Sequence, residues 1–337
     1  MVSWERKEDG TGALDAVSTP CVVLRQYMAS MPYNPPALAR EVEALHGRLV
    51  GHLEITNSLE FDDALPHSTI LQGYDPEESA KQRQRTLGLY SGRSLITGPP
   101  GVSGDGLQLS SAQGRKVINI DQYIKRVAQE DAMFVVSPAD EVDMSAGKNR
   151  KTRSLERTML FANQMVSKKH KKMLENRFLF KVVVPSSKPG AMEMQLSPGD
   201  GNGGDAYHGV CAGGVNLQES DAEFTEYVGQ LHAATMKSGA ALLVQGSNTL
   251  SRLLLSLEAG ADLVSSDLPT LLTNKGQALV FGDVLQMPHA APGEASESAP
   301  QKKHKGPSGQ ASATTTTSAA TKTERAVVNL WNEEFLR

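Results

Sequence analysis

Several short stretches combine residue types that can hold a polar ligand, and each closely follows an apolar run of strand length. They are Asp140 with Glu141, Gly213 with Gly214, Gln245 with Gly246, and Ser265, Ser266 and Asp267. A carboxylate accepts hydrogen bonds from the edge of a nucleobase. A pair of glycines, lacking Cβ atoms, lets a flat ligand approach the backbone. Together they describe a pocket for a planar molecule. The competing reading is that the glycines only permit tight turns and the acids cap the helices that follow; sequence does not separate the two. The familiar nucleophile and metal motifs are missing, with no GxSxG, GxxxxGK or HExxH in the chain. The eight histidines are scattered, and His52, His208 and His232 read as structural or surface groups rather than ligands. Cys21 and Cys211 supply neither a disulfide framework nor a CxxC pair.

The net charge of −4 over 337 residues excludes a polycation built for nucleic acid. Its distribution is uneven. Lys148, Arg150, Lys151, Arg153, Arg157, Lys168, Lys169, Lys171 and Lys172 fall within 25 residues that contain one acid, Glu156. Such a segment suits phosphates, whose neutralisation releases counterions. It equally suits the solvated face of an amphipathic helix over 153–166.

Holding the candidate residues in place requires a scaffold, and the spacing predicts one. Strands are expected at 133–136, 180–184, 209–212, 241–244, 262–264 and 278–281, each apolar throughout as in a sheet covered on both faces. Between them lie helical repeats: Leu155, Met159, Leu160 and Val166; Phe224, Tyr227, Val228 and Leu231; Leu250, Leu253, Leu254 and Leu257. Ser220 with Glu223 forms the signature of a capping box, and Ser247 or Asn248 is placed to cap the third helix. Alternation of this kind gives a parallel sheet, either open or closed. A dinucleotide fold would carry GxGxxG at its first strand–helix turn, whereas the Gly-rich stretch 201–204 precedes a strand and reads as a flexible loop. The expectation is therefore an α/β fold, a TIM-type (β/α)8 barrel whose active site lies at the carboxyl ends of the strands.

Residues 1–110 are expected to supply an N-terminal β elaboration and the first barrel elements, with helical periodicity only at 37–49, and residues 111–287 the barrel core. Residues 288–323 read as a disordered insertion: 26 of the 36 are Pro, Gly, Ala, Ser or Thr, and none is aromatic or a large aliphatic. Apolar patterning resumes at 326–330, so 324–337 reads as the start of a C-terminal segment that closes a last element or is cut before a further one. No apolar run approaches the roughly 18 residues of a membrane span, and membrane insertion is not expected.

The pieces resemble a known family. GADLVSSDLPT at 260–270, followed by KGQALVF at 275–281, is similar to the GVDLFDCVMPT...GQAL signature of tRNA-guanine transglycosylases, which exchange guanine for queuine or its precursor at the tRNA wobble position. FVVSPADEV...RSLERTMLF at 134–161 resembles that family's strand, DE dipeptide and helix. GVCAGGV at 209–215 resembles its glycine-rich base-binding strand end, and VVNLWNEEF at 327–335 the segment preceding its zinc motif. The resemblance covers roughly residues 114–337 and implies a βα barrel acting on tRNA, with Asp140, Gly213 and Gly214 as elements of a base pocket.

The departures carry the functional expectation. Ser265 stands where the resemblance implies an Asp nucleophile, and a serine hydroxyl needs a base that a carboxylate does not. The DSGGFQ motif, source of a second catalytic Asp, has no counterpart Asp in LGLYSGRSLITGPP at 87–100. This combination, with TPCVVLRQYMASMPYNPPAL at 19–38, resembles the non-catalytic accessory subunit of a heterodimeric queuine tRNA-ribosyltransferase. No catalytic residue is then expected in this chain, its partners are the catalytic subunit and tRNA, and Lys148, Arg150, Lys151 and Arg153 become candidate tRNA contacts. The family implies zinc held by CxCxxC...His, but no cysteine follows Cys211. It also implies a cytoplasmic location, peripheral at the mitochondrial outer membrane or nuclear; KKHK at 168–171 and 302–305 is a weak import signal. Two rivals stay open: an active transglycosylase using Asp267, and an unrelated βα-barrel metabolic enzyme.

Overall fold

The computed structural model describes residues 87–111, 114–129, 132–197 and 207–279, with strand backbone also at 3–4, 17–18, 21–25, 50–54 and 327–329. The predicted helix at 37–49, the loop at 201–204 and the insertion at 288–323 lie outside the described residues. The chain divides into two compact units, Met1–Thr270 and Leu271–Arg337.

In the first unit β1 (Ser3–Trp4) and β2 (Val17–Ser18) form a two-stranded antiparallel ribbon. The parallel sheet opens with β3 (Cys21–Arg25), β4 (Val50–Glu54) and β5 (Leu87–Ser91). A three-stranded antiparallel sheet follows, built from β6 (Gly101–Ser103), β7 (Gly106–Ser111) and β8 (Gly114–Asn119). The chain then alternates: α1 (Ile120–Gln129), β9 (Ala132–Val136), α2 (Lys148–Met165), β10 (Phe178–Val183), α3 (Ala191–Leu196), β11 (Gly209–Ala212), α4 (Asp221–Ser238), β12 (Ala241–Gln245), α5 (Leu250–Glu258), β13 (Leu263–Ser266) and α6 (Leu268–Asn274). The result is an α/β fold around a curled parallel sheet. Strands β3, β4, β5 and β9 to β13 pair in sequence order, and β13 returns to β3, with Leu263 opposite Cys21.

Alternation along each strand sorts side chains into layers. Leu89, Phe134, Phe180, Cys211, Leu243 and Leu263 form one cluster from strands around the sheet. Their neighbours face the helices: Tyr90, Val135 and Leu179 pack with Tyr123 and Ile124 of α1 and Phe161 of α2. Val210, Leu242, Val244 and Val264 pack with Phe224, Val228 and Leu231 of α4. Apolar groups on both strand faces explain why these strands read as continuous runs.

Five of the six expected strands enter this sheet. The sixth does not: β14 (Gln277–Leu279), which overlaps the expected 278–281, pairs antiparallel with β15 (Val327–Asn329) in the second unit. A short apolar run carries no signal for its partner's direction, and the VVN run takes this one. The helices also differ in detail. The buried stripe of α2 is Ser154, Leu155, Thr158, Phe161, Ala162 and Met165, whereas Leu160, expected to be buried, is 44% exposed. The capping box of Ser220 and Glu223 is present on α4. On α5 the cap is Thr249, whose hydroxyl accepts from the Arg252 amide at 3.2 Å, rather than Ser247 or Asn248. Ser247 is engaged with Ser256 at 2.9 Å, and Asn248 accepts from the Asp267 amide at 2.9 Å.

Candidate functional site at the carboxyl ends of the strands

The end of β9 is defined by Ser137, whose amide donates to the Phe180 carbonyl at 2.8 Å and whose hydroxyl accepts from the Val182 amide at 3.0 Å. Pro138 has no N–H to extend the ladder. Beyond it the two acids reach different partners. Asp140, 1% exposed, faces α2 and takes both arms of the Arg150 guanidinium at 2.7 and 2.5 Å, with Arg157 at 3.4 Å. Its backbone is held by the same helix: the amide donates to Thr158 at 3.0 Å, and the Ser154 hydroxyl donates to the carbonyl. Arg150, Ser154, Arg157 and Thr158 follow helical spacing, so one face of α2 clamps the Asp140 segment. The carboxylate pushes the Arg150 pKa further above its ordinary value, because the ion pair favours the charged guanidinium.

Glu141 turns into a recess lined by Ser91, Arg93, Val136, Glu141, Val182 and Gln245 at the ends of β5, β9, β10 and β12. One of its carboxylate oxygens accepts from Arg93 at 2.5 Å and from the Gly214 amide at 2.8 Å. Arg93, 3% exposed, also donates to the Val215 carbonyl at 2.6 Å. The recess is small, about 230 Å³ out to its open mouth. Gln245 accepts from Ser91 at 3.3 Å and from the Cys211 thiol at 3.6 Å, while its Nε2 is buried without a hydrogen-bond partner among the described residues.

Ser265 pairs in register with Gln245 on one side and Val23 on the other. Its hydroxyl is fully buried and has no hydrogen-bond partner among the described residues. Asp267 is also fully buried, its amide fixed by Asn248. The preceding Ser266 hydroxyl donates to the Ser247 carbonyl at 2.6 Å and accepts from the Leu268 amide at 3.1 Å.

The glycine pair is explained by its neighbours. A Cβ on Gly213 would lie 2.6 Å from Val182 and 3.0 Å from the Val183 carbonyl oxygen; one on Gly214 would lie 2.5 Å from the Val142 carbonyl oxygen. Both glycines admit the chain's own backbone. Gly246, with φ +81°, instead faces the Arg93 guanidinium, 3.4 Å from where its Cβ would stand.

The basic segment separates. Lys148, Arg150, Lys151 and Arg153 lie on the first two turns of α2, while Lys168, Lys169, Lys171 and Lys172 follow its end, about 27 Å away along an 18-residue helix. Of the first group Lys148 and Arg153 are exposed, Lys151 is half-buried, and Arg150 is committed to Asp140. In the second, Lys169 bonds Asp121, which His170 also engages at 2.9 Å. These contacts hold the Asp121 carboxyl below its ordinary range, the Lys169 hydrogen bond most strongly.

Arg93 escaped sequence reading because it sits where no motif demands an arginine. With DSGGFQ registered on its Ser-Gly pair, Tyr90 takes the Asp position and Arg93 that of the second glycine. Tyr90 packs outward against Tyr123, ring centroids 5.6 Å apart. No cysteine follows Cys211, and among the described residues no group of three or more His, Cys, Asp or Glu could hold an ion. No helix among the described residues is long and apolar enough to cross a membrane.

Burial, reinforced by the nearby Glu141 carboxylate, pushes the Cys211 thiol far above its ordinary value. Native Cys211 should therefore resist alkylation by iodoacetamide at neutral pH and react only on unfolding, as read by mass spectrometry of its peptide.

A curled parallel sheet with polar groups gathered at its carboxyl ends defines an α/β protein. A model of the queuine tRNA-ribosyltransferase family matches residues 93–335, well over half of the chain, and the protein belongs to that family. Comparison with curated proteins finds no match.

Proposed function

We propose that this chain is the non-catalytic subunit of a heterodimeric queuine tRNA-ribosyltransferase. In this reading its sheet is that of a complete TIM-type (β/α)8 barrel, and it assists guanine-to-queuine exchange at the tRNA wobble position by completing a dimer and orienting tRNA. The observation that carries the reading is Ser265. A carboxylate nucleophile is ionised at neutral pH and stabilises an oxocarbenium-like centre; a hydroxyl needs a base to remove its proton. The Ser265 hydroxyl has no hydrogen-bond partner among the described residues. The carboxylates of Asp140 and Glu141, which follow β9, are already paired with arginines.

The start of α2 supports the tRNA part of the proposal. Its first turn holds no acid, and Gly147 offers no side-chain cap, although helix N-termini favour negative charge. Cations at Lys148, Lys151 and Arg153 are costly to the isolated helix and suited to a bound phosphate backbone, whose contacts orient rather than specify. A cytoplasmic location belongs to the same reading.

The test is guanine exchange on undermodified tRNA by the purified chain, alone and mixed with a catalytic subunit. No incorporation of labelled guanine is expected from the chain alone, and incorporation is expected in the mixture. Exchange by the chain alone, abolished by Asp267→Asn, would establish the active-enzyme rival instead.

A further inference from the structure

Strand β10 carries one charged side chain within an apolar run, FLFKVV at 178–183. Alternation turns Phe178, Phe180 and Val182 toward one cluster, and Leu179 and Val183 toward the two that face the helices. Lys181 points with the latter pair. Its register partner on β11, Val210, packs on that same side, and both α2 and α3 lie against the strand. The residue is 9% exposed. No hydrogen bond or ion pair reaches its amine from the described residues, and Nζ is not among their sealed, unpartnered atoms. The stem is therefore buried and the tip open.

An ammonium so placed has lost water and gained no carboxylate, a cost that an apolar residue of the same length would remove. Departures of this kind from the local pattern concentrate where a protein needs a particular group. The group offered here is a free amine, because burial alone holds the Lys181 pKa below its ordinary range. Lysines in such surroundings act as nucleophiles. We propose that Lys181 is a site of covalent acylation by a short acyl thioester. The amine nitrogen attacks the thioester carbonyl carbon; a C–N bond forms as the C–S bond breaks, and the amine proton passes to the departing thiol. The amide product is neutral and abolishes the buried charge, whereas a carbamate would put an anion in the same apolar setting. The inference is independent of the non-catalytic reading, since Lys181 lies on the strand face opposite to Val182, which lines the recess.

The test exposes the full chain to limiting S-acetyl-N-acetylcysteamine near neutral pH and follows each lysine peptide by mass spectrometry. An ordinary lysine is then about 0.1% free amine, and each unit by which its pKa falls raises that fraction about tenfold, more than the accompanying loss of nucleophilicity removes. Expected is acetylation of Lys181 about threefold or more faster than of the exposed Lys168, Lys172 and Lys237. Its rate should also level off with rising pH before theirs do. Labelling of Lys181 no faster than of these three, or with an identical pH profile, overturns the proposal. Thermal melting of Lys181→Met supplies a second measurement. Tm should rise, because an adaptable apolar side chain replaces an unpaired ammonium. A fall in Tm would mean that the amine has a stabilising role in its free form, and would overturn the proposal equally.

Discussion

Gly214→Ala should destabilise the protein by about 2–5 kcal/mol, a large share of the roughly 5–15 kcal/mol typical of a folded domain. Two costs add. Gly214 has φ +71°, and a left-handed conformation costs a residue with a Cβ roughly 1–2 kcal/mol. The new methyl would also lie 2.5 Å from the Val142 carbonyl oxygen and 2.8 Å from Pro185 Cδ. Since the first is backbone, the loop beyond Glu141 must shift, adding the roughly 1–3 kcal/mol of overpacking. Gly239→Ala is the matched control, with φ +69° and nothing within 4 Å of its Cβ. It should lose only the conformational part, about 1–2 kcal/mol. Urea denaturation of the two variants measures the difference. Equal losses would mean that close packing at Gly214 has no energetic weight.

Arg150→Ala should cost about 2–3 kcal/mol, somewhat below the figure for breaking a fully buried pair. The discount arises because Arg150 is 45% exposed while Asp140 is not. Removing the fork strands a buried carboxylate with only Arg157, at 3.4 Å, to offset it. Arg150→Lys should recover part of the loss, since an ammonium keeps the charge but cannot meet both oxygens. A urea midpoint unchanged in Arg150→Ala would show that Arg157 or water replaces the pair at no cost.

The sheet was legible because its signal is local. Strand β11 falls on the expected residues 209–212, and β9, β10, β12 and β13 within about two residues at each end. Their apolar runs, bounded by turns and separated by helical repeats, need no long-range knowledge. The capping box of Ser220 and Glu223 spans four residues and is equally local. The α5 cap was not, because Ser247, Asn248 and Thr249 are three adjacent cap formers. Ser247 and Asn248 are drawn away by Ser256, Asn216 and Asp267, which are distant in sequence.

The same division runs through the site. Residue types and order along the chain were enough to place Ser265 at a strand end, to put a carboxylate pair after β9, and to reveal the transglycosylase pattern around them. They offered no means of knowing that Asp140 and Arg150, assigned separately to a base pocket and to tRNA, bind each other. Nor did they indicate that Arg93 reaches Glu141, 48 positions away, and Val215, 122 positions away. Secondary structure follows from periodicities a few residues long, which any stretch of chain displays on its own. Which charges neutralise one another depends on hydrogen bonds that act over about 3 Å, and those distances exist only once the sheet has brought its strand ends together.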